Sequence, residues 1–312
     1  MSLKQFAQTL PQAQLAVINA GSSAVYKAFK ALYPHSKYKM AYLKCSKKEA
    51  SAALALCEKE KVFALVLGVA ETVLPQQSFS AAVITPSIAL HQPYLRNLFH
   101  HQALGYCAAL GYQTYLSPAA DLDKLKTRYF ESLRLGTLRE NITLAEPLLR
   151  NADYVWLDLT TVRASDAPQR KHLNPNGLYA EEACQIVHYV ALSNNAKSLF
   201  INGFSSLRLN KITVHLLAQL IWHVAEGLST RIKEDLVNIS ENTAFKEIMV
   251  DMGVSGQEIY FIYSETTQRW WIKVPDNKMN THFIPCDHSD YQVACQGNIP
   301  VRWLWHYQKL NC

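Results

Sequence analysis

The sequence predicts an α/β fold in three layers, helix on sheet on helix, with a mainly parallel sheet. Three observations carry this. Short apolar runs such as "VFALVL" at Val62 to Leu67 alternate with longer stretches of helical periodicity. Such runs suit strands covered by helices on both faces. With 312 residues, 49% hydrophobic and 18% charged, the chain can bury a full core and is not expected to be disordered.

The elements follow in order. Leu15 to Asn19, "LAVIN", reads as a buried strand. "SAVYKAFKALYP" sets Val25, Phe29 and Leu32 on one helical face, and Pro34 ends it. "EASAALALCEKEK" is a second helix, Val62 to Leu67 a strand closed by Gly68, and Ala81 to Ile84 another strand. "QTYL" near Tyr115 reads as a strand, while Lys124 to Gly136 and Thr143 to Asn151 read as helices. Val155 to Leu159 is a strand, Ala180 to Leu192 a helix, and "KSLFIN" a strand. "ITVHLLAQLIWHVAEGL" is a long helix, apolar on nearly all sides, and so is expected in the core or at an interface. The texture changes after about Gly256. "EIYFIYS" and "RWWIKVP" read as a hairpin turning at Ser264 to Gln268, followed by a tail dense in Trp and Tyr. No linker precedes it, so residues 1–312 are read as one domain with an aromatic-rich extension from about residue 257.

Several function classes are disfavoured. The net charge of +6 is scattered, with no basic stripe for nucleic acid. No apolar run reaches about 18 residues, so no membrane span is expected. Seven cysteines form no CxxC pair and no signal-like leader is visible, so buried thiols in a cytoplasmic protein are expected. Cys184 has no base beside it in the sequence, and no phosphate loop, serine elbow or zinc spacing occurs.

Open parallel sheets take ligands at the carboxyl ends of their strands. The most informative end is "VWLDLTTVRASDAPQRKHLNPNGL", Val155 to Leu178. Asp158 stands at the strand's end. At the next alternate position, where a metal site wants a second carboxylate, stands Thr160.

"EPLLRNADYVWLDLTTVRASDAP" followed by "NPNGLYAEEACQIVHYVALS" resembles the central signature of the ureohydrolase superfamily of arginases, agmatinases and formimidoylglutamases. The likeness is to its formimidoylglutamase-like branch found in Bacteroidetes. "LGYQTYL" from Leu110 and the tail from Arg269, with "IPCDHSDYQVACQGNIPVRW", resemble that branch's middle and end. The resemblance implies an arginase-like fold. It also implies a pair of manganese ions that generate hydroxide for attack on a guanidinium or formimino carbon.

Carried over residue by residue, the resemblance finds few of the family's metal ligands. The Gly-Gly-Asp-His turn falls on Gly68, Val69, Ala70 and Glu71, so the first His becomes Glu71. The Asp-Ala-His-x-Asp segment falls on Thr85 to Ala89, and its ligand positions hold Thr85, Ser87 and Ala89. The Asp-x-Asp pair falls on Asp158 and Thr160. A later acid falls near Gly203. Two manganese ions need about six mostly anionic donors, and Asp158 with Glu71 cannot supply them.

The candidate cleft is therefore Glu71, Asp158, Thr160, Arg163, Asp166 and Gly203, with no metal and no cofactor expected. Asp158 is read either as a remnant ligand or as an acceptor for the loop or for Arg163. Glu71 is either a replacement ligand or a loop-capping acid. Arg163 suits either a polar loop or a small carboxylate ligand. His100 and His101 read either as surface or packed residues or as candidates for a catalytic or metal role, and His188, His215 and His223 as helix packing. The resulting reading is a non-catalytic ureohydrolase-like protein, a scaffold or small-ligand binder, associating with itself or with an active homologue and with neither nucleic acid nor membrane. The alternative is a hydrolase of formimidoylglutamate or a related amidine or guanidine C–N bond with an unusual site.

Overall fold

The computed structural model describes residues 2–69, 74–169, 173–204, 209–236, 244–253 and 258–311. It divides into two compact units. One holds Met1–Asp123 and Ser132–Arg231, the other Lys124–Glu131 and Ile232–Cys312. The second unit thus starts upstream of the change in texture at residue 257.

The first unit opens with α1 (Leu3–Thr9), β1 (Leu15–Asn19), α2 (Ser23–Phe29), β2 (Met40–Lys44), α3 (Lys47–Glu60) and β3 (Phe63–Leu67). The chain continues with β4 (Phe79–Ile84), α4 (Pro93–Phe99), β5 (Leu104–Tyr112), α5 (Ala119–Thr127), whose end belongs to the second unit, β6 (Glu131–Arg134), α6 (Leu135–Glu140) and α7 (Ala145–Arg150). The first unit closes with β7 (Tyr154–Asp158), α8 (Ala180–Leu192), β8 (Ser198–Asn202) and α9 (Lys211–Thr230). The strands form an eight-stranded sheet in the order β2-β1-β3-β8-β7-β4-β5-β6. From β2 to β5 every neighbouring pair runs parallel.

Both faces of the interior strands are dry, which is why most of those strands read as continuous apolar runs. Leu15, Leu65, Val155, Leu199 and Ile84 lie on one face, in a core with side chains of α2 and α6 to α9. The intervening residues Ala16, Val66, Trp156 and Phe200 are equally buried, and α3 packs against β1 and β3. The expected three-layer α/β arrangement is therefore present.

Three readings need correction. "QTYL" is not a strand. The strand is the preceding β5, and Thr114–Leu116 is a 3-10 turn. Its residues, "LGYCAALGY", include five small ones and no β-branched type, so sheet position more than propensity makes it a strand. Lys124 to Gly136 is not one helix. Tyr129 adopts φ 51° and breaks it after α5, and β6 then occupies the sheet edge. Thr143 to Asn151 is a 3-10 turn at Ile142–Leu144 followed by the shorter α7.

The apolar helix α9 is accounted for inside its own unit. Leu216, Leu217, Leu220, Ile221, Val224 and Ala225 are buried, and the helix packs on α8 and α2. His188 and His223 meet between α8 and α9, their rings 6.2 Å apart, and His188 Nδ1 lies 3.2 Å from the His223 carbonyl oxygen. Burial, then the neighbouring His188, holds the His223 pKa below its ordinary 6.5, against an opposing pull from Glu226. The folded state thus binds a proton less readily than the unfolded chain. Stability should fall as pH drops below about 6.5, and His223→Gln should lose less between pH 7.5 and 5 than the parent. Urea midpoints at the two pH values check this, and equal losses in both proteins would refute it.

The second unit carries a four-stranded antiparallel sheet, β12-β11-β10-β9. Its strands are β9 (Phe245–Asp251), β10 (Glu258–Ser264), β11 (Trp270–Pro275) and β12 (Thr281–Cys286). The expected hairpin is β10 and β11, and two further strands flank it. α10 (His288–Cys295) and α11 (Val301–Asn311) follow. The tail aromatics are partly core: Trp271 and Trp303 are buried, and Trp270 stacks on Tyr291 at 5.0 Å. Arg302 binds Glu131 at 2.8 Å and Asp290 at 3.3 Å.

Four of the cysteines, Cys57, Cys107, Cys184 and Cys286, are buried thiols, and Cys295 is exposed. Burial pushes the Cys184 thiol up to about 12, which does not suit a nucleophile. Among the described residues no helix is long and apolar enough to cross a membrane.

Candidate functional site

The parallel register sets several strand ends side by side. Asp158, the last residue of β7, pairs with Asn202, the last of β8. β7 also pairs with β4, whose end is followed at once by Thr85. These ends form the candidate cleft.

Asp158 is 8% exposed. It caps the 3-10 turn Leu159–Thr161. Its Oδ1 accepts from the Thr160 backbone N–H at 2.9 Å and from the Thr160 hydroxyl at 2.6 Å. The same oxygen lies against Gly203, where an added Cβ would sit 1.9 Å from it. The carboxylate thus folds back over the end of β8. Of the candidates named from the sequence, the structure brings together Asp158, Thr160 and Gly203.

Tyr94 was missed. It lies in the first turn of α4, after the Pro93 that starts this helix. Its hydroxyl is 3.5 Å from Thr85 Oγ1 and within hydrogen-bonding reach of Asp158. Burial, and then the charge of Asp158, raise its pKa, so it stays a neutral phenol at ordinary pH. The motif "QPYL" carried a helix-start signal, but nothing local indicated that Tyr94 reaches β7. Asn202 was missed too. It is 4% exposed, and its Nδ2 has no hydrogen-bond partner among the described residues.

The remaining positions are accounted for as follows. The Thr85 hydroxyl donates to the Ser87 carbonyl at 3.0 Å. The Ser87 hydroxyl donates to the Leu116 carbonyl. Ala89 is buried and carries no donor atom. Arg163 is engaged in the loop after β7: its Nε pairs with Asp166 at 2.9 Å and its guanidinium lies 4.1 Å over the Tyr179 ring. Asp166 also accepts from Ser165 at 3.0 Å and from the Ala180 N–H at 3.1 Å. Burial works against its charge, yet these bonds hold its pKa below the ordinary carboxylate value. Glu71 lies outside the described residues. His100 is exposed and turns its Nδ1 to the Arg96 carbonyl at 2.9 Å; His101 packs edge-on to Phe79. Among the described residues no three His, Cys, Asp or Glu side chains group so that they could hold a metal ion.

Asp158→Ala should cost about 2 kcal/mol. It strands the Thr160 N–H and hydroxyl and takes away an acceptor near Tyr94. Denaturant unfolding checks this, and a loss under about 0.5 kcal/mol would remove the structural role assigned to the carboxylate.

No protein-family model matches the chain. No curated protein matches it by sequence. Solved structures do resemble it. A formiminoglutamase from Trypanosoma cruzi, crystallised with manganese, superposes with a TM-score of 0.58 at 14% identity, covering 70% of this chain and 95% of that one. The formimidoylglutamase from Bacillus subtilis gives 0.52 at 14%, over 70% and 88%. The agmatine ureohydrolase of Thermoplasma volcanium gives 0.52 at 13%, over 73% and 96%. The fold is therefore arginase-like, in agreement with the resemblance read from the sequence.

Proposed function

We propose that this chain is a ureohydrolase-like protein without the dinuclear manganese site, acting as a non-catalytic binder or scaffold. One observation carries the reading. At the described positions where the resemblance sets a ligand, only Asp158 is anionic, and the others are neutral hydroxyls or bring no donor atom. The hydroxyls of Thr85, Ser87 and Thr160 each donate within the chain, and Ala89 and Gly203 bring no donor atom. Asp158 remains, turned onto Gly203 and Thr160. Two divalent cations need several anionic donors to offset four charges, and this set does not fit them. A scaffold of this kind would work beside a second copy or an active homologue.

Metal analysis after purification with manganese present tests the reading. Well under one metal per chain is expected, with no formamide or urea released from formimidoylglutamate, agmatine or arginine. Two tightly held manganese ions per chain would sink it. The second reading, a C–N hydrolase with a single metal, draws on the fold shared with two formiminoglutamases and on the one carboxylate kept at Asp158. It requires substrate turnover that chelator abolishes.

A further inference from the structure

We propose that the chain binds a small organic carboxylate in a separate pocket at the carboxyl end of β5. A cavity of about 560 Å³ lies there, within the range of small-molecule sites. Its walls come from three parts of the first unit: the end of β5 with the turn after it, the β6–α6 junction, and the loop before α8. Gln113, Tyr115, Arg134, Arg139 and Asn176 supply polar lining, and none of the described lining residues is acidic.

Two features make this more than a basic stretch of surface. Arg139 is oriented. Its guanidinium lies 4.1 Å from the centre of the Tyr179 ring, and its Nε is 3.5 Å from Glu182. Arg163 lies at the same 4.1 Å from that ring. Two guanidiniums cannot share one ring face at that distance, so Tyr179 is held between them. An arginine stacked in this way gives up less freedom when it binds.

The floor is also built. Gln113 is 5% exposed, accepts from the Tyr115 hydroxyl, and points its amide nitrogen at the Asn176 carbonyl, 3.5 Å away. The Asn176 amide donates to the Tyr115 hydroxyl at 3.2 Å. This network ties the turn after β5 to the loop before α8, and both amides line the pocket together with Arg134 and Arg139. Guanidinium forks with neighbouring amides recognise carboxylates. The position suits a ligand, because open α/β sheets take them at the carboxyl ends of strands. The inference stands whether or not the Asp158 cleft holds a metal, since no described residue of that cleft lines this pocket.

Calorimetric titration of the whole protein at low ionic strength tests it, with succinate, L-glutamate and inorganic phosphate as probes. At least one carboxylate should bind one per chain with a Kd at or below about 1 mM, and more tightly than phosphate. Arg134→Gln, an exposed position where folding is not at risk, should weaken binding by about tenfold or more. Arg96→Gln, on α4 and outside the pocket, should leave it unchanged. The proposal is overturned if neither carboxylate binds, if phosphate binds more tightly than both, or if Arg134→Gln binds as the parent does.

Discussion

Gly177→Ala should destabilise the protein by about 4 kcal/mol or more, in the exceptional range for one methyl group. An added Cβ would lie 2.5 Å from the Arg163 nitrogen, 2.5 Å from the Thr161 oxygen and 2.8 Å from the Val162 carbonyl carbon. All three are backbone atoms and cannot rotate aside. They belong to the crossing at which Val162 and Leu178 form an isolated parallel bridge. There the Arg163 N–H donates to the Leu178 carbonyl at 3.0 Å, and the Leu178 N–H donates to the Thr161 carbonyl at 2.8 Å. Ordinary contact distance needs the two chains about 1 Å further apart. That breaks both bonds and loosens Val162, Ala167 and Leu178, all fully buried. Urea unfolding of the variant checks this. A loss below about 1 kcal/mol would show that the crossing yields cheaply, and the loop carrying Arg163 and Asp166 would not be anchored there.

Gly203→Ala should cost about 3 kcal/mol, for two separable reasons. The residue adopts φ +77°, which costs a non-glycine residue roughly 1 kcal/mol. The rest comes from Asp158, whose Oδ1 would be 1.9 Å from the new Cβ. The carboxylate must swing away and release the Thr160 N–H and hydroxyl. The Leu159 N–H, 3.0 Å away, leaves little room on the other side. A double-mutant cycle isolates the second part. In an Asp158→Ala background, Gly203→Ala should cost only the conformational share. The coupling between the two sites is then about 1.5 kcal/mol or more. Strict additivity would mean that the carboxylate is not held against Gly203. A cation bound by Asp158 would add a dependence on chelator that the clash alone does not produce.

Much of the architecture was legible because burial on both sheet faces writes itself into composition. "VFALVL" is apolar throughout, "LAVIN" and "KSLFIN" are apolar except at their ends, and all become interior strands. The helix Ala180–Leu192 was read to the residue, from its acids at the start and apolar spacing after it. β5 was not legible, since glycine, alanine and cysteine carry no β signal and only its slot between β4 and β6 makes it a strand. β6 is a four-residue edge strand of mixed polarity, too short to show a period.

The site divides in the same way. The sequence alone determined which donors the candidate positions could offer, because a residue's functional groups belong to its type: Thr85, Ser87, Ala89, Thr160 and Gly203 bring no carboxylate or imidazole wherever they fold. Only the tertiary structure decided what the remaining groups do. It turned Asp158 onto Gly203 and Thr160, brought Tyr94 to it from 64 positions away in the chain, and left the Asn202 Nδ2 without a partner among the described residues. It also joined Arg163 to Asp166 and stacked it on Tyr179. Hydrogen bonds depend on distances of a few tenths of an ångström. Those distances are set by sheet register and by packing between segments far apart in sequence, so no local pattern of residues records them.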